Sequence, residues 1–222
     1  MRLLLALAVL ALLVATVVGW RLLRDRQRER FIDGYPYGKF LDRRLAARRP
    51  ELSVPQRALV FDGLREYFQL CRVAKKRLVA MPSQAVDDAW HEFILFTRQY
   101  QQFCQRGLGR FLHHTPAEAM RQPTDAQEAI KRAWRLSCSR QAIDPKVPSS
   151  LPLLFALDAM LGISGGFVYQ LDCLAAAKAG VSGAFCAGHI GCGGGCSAGS
   201  GDGGGDSGDS SGCGGGCGGG GD

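Results

Sequence analysis

The chain has 222 residues, 46% of them hydrophobic, which suffices for one membrane anchor and one modest domain. Its formal net charge of +7 is unevenly spread: from Arg21 to Pro50 ten Lys and Arg stand against four acids, while after Lys178 four aspartates and no Lys or Arg remain. No basic face with stacking aromatics and no nucleic-acid motif is present, so nucleic acid is excluded as a partner; basic charge beside an apolar segment points to membrane lipids instead.

Residues 1–20 form the first element. Leu3 to Trp20 is an uncharged run of 18 residues, and as a helix it spans roughly 27 Å, near the hydrocarbon thickness of a bilayer. A cleaved signal peptide needs a shorter apolar core and a small-x-small site. Here the run ends Val17-Val18-Gly19-Trp20, with Trp20 suited to the interface and Arg21 to a stop signal. Arg2 alone precedes the run and Arg21, Arg24, Arg26, Arg28 and Arg30 follow it. The expectation is a single-pass transmembrane helix in a bacterial inner (plasma) membrane, with the bulk of the chain cytoplasmic. Residues 21–37 read as a basic juxtamembrane linker in contact with lipid, ending in a turn-rich hinge, Asp33 to Gly38.

Residues 38–174 read as an all-α domain. Ser53 with Gln56, Thr115 with Glu118 and Thr124 with Gln127 have capping-box spacing, and Ser83 and Ser150 are further candidate caps. Val60, Leu64, Tyr67, Cys71, Ala74 and Leu78 recur at helical spacing, as do Val86, Trp90, Phe93, Thr97, Tyr100 and Cys104. Two such stripes joined by Ala80-Met81-Pro82 predict an antiparallel helical hairpin. A third helix, near Asp125 to Arg140, offers Ala126, Ile130, Ala133 and Trp134. Leu151 to Leu171 is apolar but carries Asp158, Pro152 and three glycines. A charge at mid-bilayer costs at least about 2.5–3.5 kcal/mol, so this segment predicts a core helix to about Leu161, a glycine turn and a short extended piece. Cys71, Cys104, Cys138 and Cys173, placed singly, read as buried reduced thiols.

Residues 175–222 form a Gly/Cys-rich tail. From Gly180 onward lie 21 of the 30 glycines, and so little apolar surface favours disorder. Cys192-Gly-Gly-Gly-Cys196 recurs as Cys213-Gly-Gly-Gly-Cys217. These pairs read either as unstructured thiols or as zinc ligands, since two short Cys pairs approach zinc-ribbon spacing. Truncation after Ala179 is expected to leave the domain's stability unchanged.

Ala80-Met81-Pro82-Ser83, Val86-Asp87-x-x-Trp90-His91-Glu92-Phe93-Ile94-Leu95-x-Thr97 with Tyr100 and Phe103-Cys104, and Phe111 to Pro116 resemble a family of bacterial proteins of unknown function. More distantly the chain is similar to the glycine-rich domain-containing proteins of plants, which share an Asp-x-x-Trp-His core. The resemblance covers roughly Ser53 to Cys173 and implies no established activity. The plant-like version often has a second His two positions after the first, where this chain has Phe93.

Three of the four histidines fall between Val86 and Pro116. His91 cannot share an ion with Cys104, which lies roughly 20 Å further along a straight helix. His91-Glu92 is no zincin motif either, because position 95 is Leu95. Asp87, one turn before His91, can hold one imidazole nitrogen. The glycine-bounded reversal at Gly107 and Gly109 can return His113 or His114 to the same place. Asp87, His91 and one of His113 or His114 are therefore expected to converge at the edge of the core, with Trp90 alongside. Such a cluster is either a structural clamp or a metal site, zinc being the ion considered. Two functions stay open: a membrane-tethered scaffold or interaction module with no chemistry of its own, and a metal-binding protein or metal-dependent enzyme.

Overall fold

A computed structural model describes residues 1–115, 123–171, 185–186 and 190. Among them are seven α-helices: α1 (Arg2–Asp33), α2 (Tyr37–Arg48), α3 (Val54–Ala74), α4 (Gln84–Ile94), α5 (Thr97–Phe103), α6 (Pro123–Arg140) and α7 (Leu153–Leu161). The expected all-α class is borne out. The extended structure is one two-residue parallel pairing, β1 (Tyr169–Gln170) with β2 (Phe185–Cys186).

Helix α1 is, among the described residues, the one helix long and apolar enough to cross a membrane, with a mean hydropathy of 2.2 over an 18-residue stretch. Its leucines and valines from Leu4 to Leu23 are exposed, as is Trp20. The helix does not end at Trp20. No Gly or Pro interrupts Arg21 to Asp33, and its Leu, Arg, Gln and Glu residues are good helix formers. The segment read as a linker is thus the second half of the same helix. Its last turns enter the folded part: Ile32 is fully buried, Arg72 pairs with Asp25 and Glu29, and Gln69 donates to the Glu29 carbonyl and to Asp33. These contacts run in opposite senses along α1 and α3, so the two helices are antiparallel. The chain turns at Gly34 to Pro36, within the expected hinge.

Helix α3 begins as the sequence indicates: Ser53 and Gln56 form the reciprocal capping box. Its pairing with α4 differs from expectation. Gly63 lies against Val86, Tyr67 against Trp90, and Phe68 against Phe93, so the two helices run in the same sense and are not an antiparallel hairpin. The connection is the reason. Residues 75–83 do not make a tight turn but double back along α3, where the Tyr67 hydroxyl donates to the Val79 carbonyl. Helix α4 is instead antiparallel to α2, with Arg44 on Glu92 and both Arg48 and Arg49 on Asp88. Part of the basic excess read as facing lipid is therefore spent inside the fold.

The second stripe is also not one helix. It breaks at Leu95-Phe96, resumes as α5 and continues as a π-helical turn, Cys104–Leu108, closed by Gly109 in the left-handed region at φ 70°. Gly107 in that turn lets α1 approach, since a Cβ there would come within 3.0 Å of Ile32. Tyr37, Phe68, Phe93 and Phe103 form the aromatic centre where α1 to α5 meet.

Ala133 and Trp134 of α6 are fully buried, and Ile130 packs beside them. Helix α7 is nine residues long and ends at Gly162, with φ 63°. It is a core helix, as expected, packed on Gly63 through Leu157. Its first free N–H, from Leu153, is taken by Gln141 rather than by Ser150. Asp158, 2% exposed, receives Ser83 Oγ at 2.6 Å and the N–H groups of Gln84, Ala85 and Phe167. That carboxylate fixes the N-terminus of α4, which Ser83 also caps through Val86. Cys71, Cys104 and Cys138 are free and buried, as read; Cys173 and the capping box beyond Thr115 lie outside the described residues. Phe185 packs on Phe167 and Tyr169, and Ile190 on the core, although both belong to the segment read as tail.

Candidate functional site

Helix α4 carries the site because its two flanks do different work. Asp88 and Glu92 face the arginines of α2, and Trp90 and Phe93 fill the core. Asp87 and His91, one turn apart, are left on the wall of a cleft of about 600 Å³. His91 Nδ1 lies 3.3 Å from Asp87 Oδ2.

The third member comes from the returning segment. The Trp90 indole donates to the Tyr100 hydroxyl at 3.0 Å, and that hydroxyl donates to the Leu112 carbonyl at 2.6 Å. Burial raises the Tyr100 pKa far above its ordinary value, which keeps the phenol protonated and able to donate. On one continuous helix Trp90 and Tyr100 would stand about 15 Å apart. The break at Leu95-Phe96 is what lets them meet. Pinned at Leu112, the segment sets His114 Nε2 at 3.1 Å from Asp87 Oδ1. The His114 ring rests 4.6 Å from Trp90 and 4.3 Å from His91, centroid to centroid.

One potential ligand atom from each of Asp87, His91 and His114 lies within 4.8 Å of the other two. All three side chains are partly buried, with His91 the most open at 41%. His91 Nδ1 is itself enclosed yet makes no hydrogen bond, because its approach to Asp87 is close but poorly directed. His113 does not join the cluster. It is exposed, packs edge-on against Phe111, and lines the same cleft. Cys192, Cys196, Cys213 and Cys217 lie outside the described residues.

The remaining cleft wall includes Tyr67 and Cys71 from α3, and Lys76, Arg77 and Arg110 from loops. Burial pushes the Cys71 thiol up to about 12, so it is a neutral wall and not a thiolate ligand. Sequence reasoning missed Tyr100 as the residue that places His114, and missed the basic side of the cleft. The first depends on a helix break and the second on loops that no motif marks.

No curated protein and no solved structure matches the chain. The model of the UCP032817-like family matches residues 27–190, from the docked half of α1 through every later helix and the Asp87 cluster to Ile190, and the chain belongs to that uncharacterised family.

Proposed function

We propose that this is a single-pass membrane protein whose folded part binds one divalent metal ion, zinc for preference, through Asp87, His91 and His114. The convergence of these three donors carries the reading. Metal–ligand bonds of about 2.0–2.1 Å put tetrahedral ligand atoms about 3.4 Å apart. The His114 Nε2–Asp87 Oδ1 and His91 Nδ1–Asp87 Oδ2 separations of 3.1 and 3.3 Å, one to each carboxylate oxygen, are near that spacing, and a small rotation of the carboxylate would present one oxygen to both rings. An enclosed His91 nitrogen without a hydrogen bond is what a ligand position needs. Two imidazoles and one carboxylate leave a coordination position open toward the cleft, as in sites that act on a bound molecule rather than merely brace a fold.

Membrane anchoring is supported by the exposed apolar half of α1, and a cytoplasmic folded part by the five arginines that follow it. A reporter fused at the C-terminus should be active only in its cytoplasmic form. Activity of a periplasmic reporter there would reverse the orientation.

A second reading, an interaction module whose histidines only clamp helix to loop, is favoured by one observation. The Trp90–Tyr100–Leu112 chain already secures the loop without an ion. Thermal unfolding separates the two. On the metal reading zinc raises the transition temperature by mass action, and His91→Ala removes the response. On the clamp reading zinc has no effect on either protein.

A further inference from the structure

The position of the cleft relative to α1 is informative. Arg72 meets Asp25 near the end of α3, and α3 runs opposite to α1. Helix α3 ends at Ala74 and the chain turns back there, so the turn Lys75 to Arg77 sits at the end of α3 that points along α1 toward its apolar half. The exposed apolar surface of α1 begins at Leu23 and Leu22, within one turn of Asp25. The loop 109–110 is tied to this turn. The Arg28 guanidinium lies against Gly109, and Arg110 donates to the Lys75 carbonyl. Because α1 is unbroken from Arg2 to Asp33, the loops cannot drift away from the apolar half as they would on a flexible tether. Lys76, Arg77 and Arg110 are thus the rim of the cleft nearest the bilayer surface.

That rim is unbalanced in charge. Among the described residues Asp87 is the one acid lining the cleft, and Lys76 and Arg77 make no ion pair. A cationic rim at headgroup depth, continuous with a cluster that has an open coordination position, suits a phosphate group presented from the membrane plane.

We propose that the cleft binds the phosphate headgroup of an anionic phospholipid, held by Lys76, Arg77 and Arg110 and taking the open position on the metal. This rests on the metal reading of Asp87, His91 and His114. No covalent step is involved.

The test is zinc affinity of the full chain, with Cys192, Cys196, Cys213 and Cys217 replaced by serine, in lipid nanodiscs, measured by competition with a chromophoric chelator. Discs of phosphatidylcholine alone are compared with discs containing phosphatidic acid. Lipid phosphate on the metal should tighten zinc binding by about tenfold or more in the second kind, as expected for coupled ligands. An anionic surface also concentrates zinc by itself, so the comparison is repeated with the double variant Lys76→Gln, Arg77→Gln. Judged by the ratio of its own affinities in the two kinds of disc, it should lose most of the gain from phosphatidic acid. An equal gain in parent and variant would overturn the proposal, as would no gain in either. Millimolar inorganic phosphate added to phosphatidylcholine discs is the remaining arm. If it reproduces the gain while phosphatidic acid does not, the ligand is a soluble phosphate and the lipid is rejected. Absence of zinc binding in both kinds of disc would reject the metal reading together with this one, whereas lipid-independent zinc binding rejects this one alone.

Discussion

Tyr100 shows how much can hang on one hydroxyl. It accepts from the Trp90 indole, donates to the Leu112 carbonyl, and so holds His114 against Asp87. Tyr100→Phe keeps the ring and leaves two buried polar groups without a partner. The expected cost is about 1–3 kcal/mol in urea or thermal unfolding, together with weaker zinc binding because His114 is no longer pinned. A variant as stable as wild type would show that the segment is held by other contacts. At this scale the sequence was readable where contacts are local. The i,i+4 spacing of Asp87 and His91 announced their proximity, and the glycine-flanked reversal announced a returning histidine, though not that His114 rather than His113 would meet them. Asp158 was read only as a charge unfit for a bilayer. Its four donors come from α4 and from the segment after Gly166, and no spacing rule reaches that far.

Among the elements, α3, α4, α6 and α7 followed from periodicity and from Ser53, Gln56 and Ser83, whereas α2 and the second half of α1 did not. Helix direction did not. Apolar stripes show which face is buried but not whether a neighbour runs up or down; that was decided by residues 75–83, which look like a short loop and behave as a return strap. The close approach of α3, α4 and α7 depends on Gly63. A Cβ there would come within 2.8 Å of both Val86 and Leu157. At an exposed helical site Gly→Ala stabilises by about 1 kcal/mol. Gly63→Ala should instead destabilise by about 1–3 kcal/mol through overpacking. The sign alone decides the matter, and a stabilised variant in chemical denaturation would mean that the three helices have room to spare.

Across the whole molecule, two boundaries shift. The basic segment after Trp20 was expected as a tether, because charge beside an apolar run resembles a linker whatever its conformation. Asp25, Glu29 and Ile32 instead make α1 part of the folded unit. At the other end Phe185 and Ile190 pack on the core, and the family span also closes at Ile190. Removing residues 191–222 should leave the unfolding transition unchanged within error. A cut after Ala179 should lower stability by about 1–2 kcal/mol through the lost apolar burial of Phe185 and Ile190. Equal stability of the two truncated chains would return the boundary to Ala179.

Metal binding by Asp87, His91 and His114 is tested by zinc stoichiometry at equilibrium. The protein is the full chain with Cys192, Cys196, Cys213 and Cys217 replaced by serine, so that the tail contributes no thiol. Dialysis against buffered zinc is expected to leave about one equivalent per chain, as one site per folded unit requires. The His114→Ala and His91→Ala forms, folded by circular dichroism, should retain almost none. No bound zinc in the parent, or undiminished zinc in the two histidine variants, would contradict the assignment.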